Sequence, residues 1–466
     1  MSNTTVKKVP TELGTEKVSK LLMQYAIPAI IAQIAASLYN MIDSAFIGHI
    51  PNVGPEAISG LATTFPFMNL SAAFGAMVGV GGATQLSVRL GQRDYDSAKN
   101  ILGNLVTLNI IVGLVFATVS FIFLDDILVF FGASEKTLPF ARDFMEVILL
   151  GNVVTHLYFG INAALRSSGH PKQAMHATII TVVMNVMLAP IFIFVLGWGI
   201  RGAALATILA QCTTLTWQVR LLSNPNELLH LQRGIYKLKS NIVKGILSIG
   251  MSPFLINAAA CMVVIIINKG LRGNSDNGDL SIAAYGISNR MQFIFVMVVL
   301  GLTQGMQPIV GYNYGAKLYG RMIRALKLTA MCATCVMGML WLFGLIWPEG
   351  FIRLFTHDEL LIAQSIAPAR VMLCTMIMVG FPMVVGNFYT SIGMSGKAIF
   401  LSLTRQVILL IPSILLMPLL FQMFKLTPIW GVWWSLPICD AMAAILAAII
   451  LNRDMRTFKR MKGEAL

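Results

Sequence analysis

Charge is what this sequence has least of. Only 12% of its 466 residues are charged, against about 25% in an ordinary soluble domain. Hydrophobic residues make up 56%, and the mean hydropathy is +0.75. A soluble chain of this composition would expose too much apolar surface to stay dispersed, which excludes a water-soluble enzyme. Acidic residues are the scarcer sign, 20 against 34 Lys and Arg, for a net charge of +14. That excess would suggest nucleic acid in a soluble protein. Here the basic residues sit in short loops between apolar runs, a pattern of membrane topology that needs no nucleic-acid partner.

Signatures of catalysis and nucleotide use are missing as well. The nearest approach to a phosphate-binding loop, Ser391-Ile-Gly-Met-Ser-Gly-Lys397, lacks the first glycine at the required distance and is followed by Ala398. No HExxH motif or metal-ligand cluster occurs. No cofactor is therefore expected, the chain is not expected to be an enzyme, and energy has to come from an ion gradient. The first seventeen residues have neither an apolar core nor a small-residue cleavage site, so no cleavable signal peptide is expected. All six cysteines fall inside apolar runs, and Cys332 and Cys335 read as small packing residues rather than a redox pair.

What the chain has in abundance is apolar runs. A span needs about 20 predominantly apolar residues. Twelve such runs begin near Val18, Ala57, Ile101, Asp143, Gln173, Gly199, Ile242, Leu280, Ala325, Ile362, Ala398 and Ile429. With the N-terminus cytoplasmic, the loops and tails on that side carry 24 Lys and Arg and those opposite carry 7, while Arg290, Arg370 and Arg405 lie inside runs. The positive-inside rule then puts both termini in the cytoplasm.

The runs also repeat. Pro28 recurs as Pro253 at an offset of 225. Ile58 recurs as Ile282, Gly91-x-x-x-Tyr95 as Gly315-x-x-x-Tyr319, and Ser167-x-Gly169 as Ser391-x-Gly393, each at 224. Gly202 reappears as Gly431. Six spans return the chain to its starting side, so the halves are parallel repeats about an axis along the membrane normal. The expected fold is an all-α polytopic membrane protein, with twelve transmembrane helices in two parallel six-helix repeats around a central cleft. The expected divisions are a tail over 1–17, an N-terminal lobe over 18–222, a linker over 223–241, a C-terminal lobe over 242–452 and a tail over 453–466. Two bundles facing a cleft are transporter architecture, and alternating access follows from rocking them.

Ionisable groups inside apolar spans are costly and need a reason. Asp43 lies in Tyr39-Asn-Met-Ile-Asp-Ser-Ala-Phe-Ile-Gly48, beside a polar stripe of Gln33, Ser37, Asn40 and Ser44 at helical spacing. Such a stripe faces a wet cavity, where a carboxylate can exchange a proton or a hard cation; the alternative is a carboxylate paired to a neighbouring helix. The fifth span adds Thr181 and Asn185, the fourth Asn152 and His156, and the sixth Thr207 and Gln211, each pair one turn apart. His156 reads as a packing residue or a titrating group. Asn69 follows the aromatic stretch Phe65-Pro-Phe67-Met68, which reads as packing. Asp440 lies near mid-membrane in the twelfth span and Arg405 at similar depth in the eleventh. They form either a structural ion pair or a coupling carboxylate with a neighbour. Arg290 either positions the eighth span against carbonyls or binds substrate. Trp430, Trp433 and Trp434 read as an interfacial anchor.

These residues resemble the multidrug and toxic compound extrusion (MATE) family, over essentially Lys20 to Arg453. The resemblance rests on Ile27-Pro28, Asp43-Ser-Ala-Phe-Ile-Gly48, Gly91-Gln-Arg-Asp-Tyr95, Arg166-Ser-Ser-Gly169, Asn185 with Pro190, and Ala283-Ala-Tyr-Gly-Ile287, and the set is most like bacterial exporters of the DinF/MepA type. It implies export of bulky, amphipathic, often cationic compounds against Na⁺ or H⁺ entry. Asp43 is then the ion-coupling acid and Asn185 the fifth-span asparagine, with Asn40 and Thr207 as neutral neighbours. From the polar pattern itself, Gln33, Ser37, Asn69, Asn152, His156, Thr181 and Gln211 are expected to line the substrate cavity. Many DinF-like members carry an aspartate four residues after the asparagine; here it is Ala189. A single acid favours H⁺ over Na⁺, although Na⁺ at Asp43 stays open. The other reading is a lipid-linked oligosaccharide flippase of the same wider superfamily, which needs a strongly basic cavity. Expected partners are small amphipathic substrates and membrane lipids, with the chain a monomer.

Overall fold

The computed structural model describes residues 12–464 apart from Asn52, Asp276, Phe355 and His357. Residues 1–11 of the expected tail and the last two residues lie outside it. Apart from three short helices, the described chain is twelve spans joined by short connections. The N-terminal six are α1 (Val18–Gly48), α2 (Gly54–Gly91), α3 (Tyr95–Ile122), α4 (Leu138–Leu150 and Asn152–Ser167), α5 (Pro171–Pro190, continued by Ile191–Val195) and α6 (Gly199–Leu222). The C-terminal six are α7 (Ser240–Gly273), α8 (Gly278–Gly315), α9 (Tyr319–Ile346), α10 (Glu359–Leu373 and Met376–Ser391), α11 (Ser395–Leu403 through Ile411–Met423) and α12 (Pro428–Glu464). Each starts within a few residues of the place its apolar run predicts.

Nine of these helices are long and apolar enough to cross a membrane by themselves, and α4 and α10 do so as pairs bent by 57° and 48°. The twelfth, α6, is less apolar because it carries a polar face, yet its 24 residues rise about 36 Å at 1.5 Å each. The bends were not legible in the hydropathy, which reports how apolar a stretch is and not whether it is straight. In α4 the bend falls at Gly151, where a Cβ would lie 2.3 Å from Ile208 Cδ1 on α6. The outward surface is rich in exposed Leu, Ile, Met and Phe, Leu150, Met187 and Phe424 among them; a bilayer covers such a surface at no cost, where water would not. α12 runs on as helix to Glu464, through most of the residues expected as the C-terminal tail.

The repeat motifs turn out to be turns and crossings. Gly169 and Gly393 end the fourth and tenth spans with φ of 98° and 77°, a region that costs an L-residue strain and glycine none. Gly91 and Gly315 let α2 and α8 cross backbone to backbone. A Cβ on Gly91 would sit 2.0 Å from Tyr312 O, and one on Gly315 would sit 2.0 Å from Val88 O, so each glycine meets the repeat-equivalent of the other's partner. Gly81 packs likewise on Ile246 O and Gly250 on Met77 O.

These crossings hold the lobes together at the end where the basic loops lie. Segments leading into each lobe cross over there. Asn313 Nδ2 donates to Leu13 O (3.0 Å), and the Arg321 guanidinium donates to Leu13 O (3.2 Å) and Glu16 O (2.5 Å). Before α7, Asn104 accepts from Lys239 N–H (2.9 Å) and donates to Lys237 O (3.1 Å). Contact between the lobes reaches as far as Phe74 of α2 and Phe254 of α7, with ring centroids 4.8 Å apart, and Gly301 of α8 against Ile30 of α1. Beyond that level no hydrogen bond or ring contact joins the lobes among the described residues, and side chains such as Asn40 and Ile294 are exposed.

Candidate functional site

The face of α1 shows where the contact between the lobes ends. Ala26 and Ile30 lie against Gly305 and Gly301 of α8, and Ala26 is only 2% exposed. Steps of three and four residues along the same face lead to Gln33, Ser37, Asn40 and Ser44, where Asn40 is exposed and the others half-buried. The polar stripe therefore continues the lobe contact into an open cleft. Its hydroxyls turn back on their own helix, Ser37 Oγ to Gln33 O (3.0 Å) and Ser44 Oγ to Asn40 O (2.8 Å), leaving the Gln33 and Asn40 amides as its free polar groups. Asn69 of α2 is also exposed.

Asp43 is turned away from that stripe into the N-terminal lobe. It is 7% exposed, and its Oδ1 is buried with no hydrogen-bond partner. One turn earlier on the same face, the Tyr39 hydroxyl is 2.9 Å from Thr207 Oγ1 of α6, which also accepts from Asn185 Nδ2 of α5 at 2.9 Å. Three helices thus converge on one hydroxyl beside an unpaired carboxylate. Asn185 and Thr207 come together as the sequence proposed, and Asn40 lies on the cleft side instead. Tyr39 was missed, although its i, i+4 relation to Asp43 was in plain sight. At the position after Leu188, Ala189 is fully buried and supplies no second acid.

Two further polar clusters lie deeper in this lobe. Thr155 Oγ1 donates to Gln211 Oε1 (2.6 Å) and Thr181 Oγ1 to Thr214 Oγ1 (2.8 Å), which ties α4 and α5 to one face of α6. Asn152 and His156 belong to a different contact, each 1% exposed. Ser71 of α2 donates to Asn152 Oδ1 (2.8 Å) and is 3.2 Å from His156 Nε2, while Asn152 Nδ2 reaches Gly113 O (2.9 Å). Gly75 and Gly113 leave room for the imidazole. These two side chains join α2, α3 and α4 inside the lobe wall.

The C-terminal lobe is built otherwise. Arg405 Nε donates to Asp440 Oδ1 at 2.7 Å, with the Asp440 side chain 5% exposed; of the two alternatives, the geometry is that of an ion pair. Arg405 sits in a π-helical stretch, Thr404–Leu410, whose wider turn carries it toward α12. Trp433 is no interfacial anchor: it is buried in this lobe, 6.4 Å from the Tyr285 ring, because α12 turns that face inward. Arg290 is exposed and makes no ion pair among the described residues.

With this geometry in hand, comparison with known proteins decides the family. A family model described as MatE matches residues 28–191 and again residues 254–415. The chain belongs to the MatE family. The two matches fall one in each lobe, as the repeat requires. The multidrug export protein MepA of Staphylococcus haemolyticus (strain JCSC1435) is 25% identical over 432 residues, 93% of each chain. MepA of Staphylococcus aureus (strain N315) is 25% identical over 442 residues, 94% of this chain and 95% of its own. Among solved structures, a ligand complex of the MATE multidrug transporter DinF-BH is 33% identical, with a TM-score of 0.87 over 97% of this chain and 99% of that one. A MATE structure in the bent conformation matches the fold with a TM-score of 0.90 at 21% identity, over 98% and 100%. MatE proteins are multidrug efflux transporters of the membrane, and this chain is one of that family.

Proposed function

We propose that this MatE protein exports amphipathic compounds, organic cations among them, across a bacterial cytoplasmic membrane in exchange for an ion, and that Asp43 is the coupling acid. Alternating access carries the exchange, with the basic end of the molecule in the cytoplasm and the cleft open outward. The protein acts as a monomer and needs no cofactor. The observation that carries this reading is the Asp43 carboxylate, buried with an unpartnered oxygen beside the Tyr39–Thr207–Asn185 network.

A carboxylate in that setting is expensive unless it gains a proton or a cation. Either one, taken up from the open cleft, neutralises it and changes which arrangement of the lobes is favoured. With Ala189 in place of a second acid, a Na⁺ ion would find one carboxylate and neutral oxygens only, whereas a proton needs just the carboxylate. We therefore assign H⁺ as the coupling ion.

The test is efflux of a fluorescent organic cation from proteoliposomes, with a pH gradient and a Na⁺ gradient imposed separately. Export driven by the pH gradient alone, and lost in Asp43→Asn, is the expected result. A requirement for Na⁺ would replace the proton in this scheme, and export by Asp43→Asn at the wild-type rate would remove Asp43 from it. No export under either gradient would bring forward the flippase reading, checked by complementation of a flippase-deficient strain.

A further inference from the structure

We propose that the cleft selects amphipathic compounds bearing a carboxylate, zwitterions above all, and that Arg290 is the residue that reads that group. The proposal deepens the export reading and rests on it, since it takes the cleft between the lobes as the substrate's binding place.

Arg290 is placed by the geometry of α8. Gly301 and Gly305 of this helix press on Ile30 and Ala26 of α1 where the lobes meet. Seven and eleven residues back toward the open end are Ile294 and Arg290. In an α-helix those separations are two and three turns to within about 20°, so both side chains leave from the face that Gly301 presents to α1. Ile294 is 49% exposed and Arg290 is exposed as well, as expected of a contact face from which the partner lobe has withdrawn.

Among the described side chains no acid pairs with this guanidinium. Arg290 has no ion pair or hydrogen bond among the described residues, and neither of the two buried intramembrane carboxylates described above reaches it. Asp43 is turned into the N-terminal lobe, and Asp440 is held by Arg405 at 2.7 Å. Across the cleft, the stripe on α1 offers the neutral groups of Gln33, Ser37 and Asn40.

An arginine inside an apolar span costs several kcal/mol unless it meets water or a partner. Placed here it meets both in turn, water when the cleft is empty and a ligand carboxylate when it is filled. Its planar fork of donors fits a carboxylate with two parallel hydrogen bonds. A monocation without an acid group gains nothing from this residue and is repelled by it, while a zwitterion puts its carboxylate on Arg290 and its apolar body between the lobes.

The test compares a rhodamine zwitterion carrying a free carboxylate with its methyl ester, a cation identical in the rest of its structure. Binding of each to the purified wild-type, Arg290→Gln and Arg290→Lys proteins is measured by fluorescence polarisation, and thermal melts are recorded in parallel. The wild type is expected to bind the free acid about tenfold more tightly than the ester, as a charge-assisted pair allows. Arg290→Gln is expected to erase that difference with an unchanged melting temperature, and Arg290→Lys to keep part of it. Equal binding of acid and ester by the wild type would overturn the proposal. So would an Arg290→Gln protein that binds both more weakly and melts earlier, since that is the behaviour of a residue holding α8 in place. Binding of neither dye would remove the cleft as a substrate site, and the proposal with it; loss of ion coupling in Asp43→Asn with dye binding intact would bear on the coupling reading alone.

Discussion

The two lobes share a fold and differ in how they treat a buried acid. In the N-terminal lobe Asp43 has an oxygen without a partner, beside a neutral network of Tyr39, Thr207 and Asn185. In the C-terminal lobe Asp440 is closed off by Arg405 at 2.7 Å. The repeat offset puts Asn268 where the first lobe has Asp43, and Leu436 where it has Thr207. Duplication kept the helix crossings, down to Gly91 and Gly315, and let the chemistry diverge. An unpaired acid can change its charge state at small cost; a paired one is fixed by its partner. On the proposed function, the first of these arrangements is the one that responds to an ion.

The largest expected effect tests that division directly. Asp43→Asn is expected to reduce gradient-driven efflux about 100-fold, as the loss of an intramembrane functional charge implies, while leaving the thermal melt unchanged or higher, because an uncompensated charge has been removed. Asp440→Asn giving the same loss of efflux without loss of stability would break the comparison.

Next is the ion pair itself. Removing one partner of a buried pair costs about 3 kcal/mol because the other is left uncompensated. Arg405→Gln and Asp440→Asn are each expected to lower the melting temperature in detergent, and the double variant is expected to recover most of the loss. Independent, additive losses would mean that the two residues are not coupled.

A smaller effect concerns what the lobes still share. Gly91→Ala and Gly315→Ala each force a Cβ to within 2.0 Å of a carbonyl oxygen on the other lobe. Each is expected to cost about 2 kcal/mol, within the range for overpacked contacts. The cost falls on the state closed at the basic end, so cysteine labelling at that end should rise equally in both variants. Unequal labelling would show that the crossing is less symmetric than its geometry.

The smallest expected effect sharpens the contrast between Thr207 and Leu436. Thr207→Val keeps the shape and deprives Tyr39 and Asn185 of their shared hydroxyl, at about 1 kcal/mol. Efflux in the proteoliposome assay is expected to fall a few-fold and to retain its dependence on the gradient. A loss as deep as that of Asp43→Asn would make Thr207 a member of the coupling site in its own right.

Much of this was legible in the chain. The twelve spans follow from hydropathy, because a bilayer sorts residues by a property each carries regardless of its neighbours. The repeat followed from glycines and prolines, whose backbone demands are local: Gly169 and Gly393 announce a left-handed turn wherever they stand. The candidate site was legible in part. Asp43, Asn185 and Thr207 stood out as polar residues in apolar runs, but Tyr39 did not, since a tyrosine is unremarked in a membrane helix until its hydroxyl meets a partner on another one. Asn152 and His156 had the same periodic signature as Thr181 and Gln211, yet they serve a different contact, because spacing along a helix gives a face and not the neighbour it meets. Trp433 misled for the same reason.

The sequence by itself determined the class of protein, the number of spans, the twofold repeat and the presence of a lone acid in the first span. Each of these depends on composition, local backbone preference or position along one helix. Only the tertiary structure decided that the contacts between the lobes gather at the basic end, that Arg405 takes Asp440, and that Arg290 is exposed with no ion pair among the described residues. Those outcomes depend on how helices are rotated and bent against one another, and the free energy of a charged side chain is set by what stands opposite it.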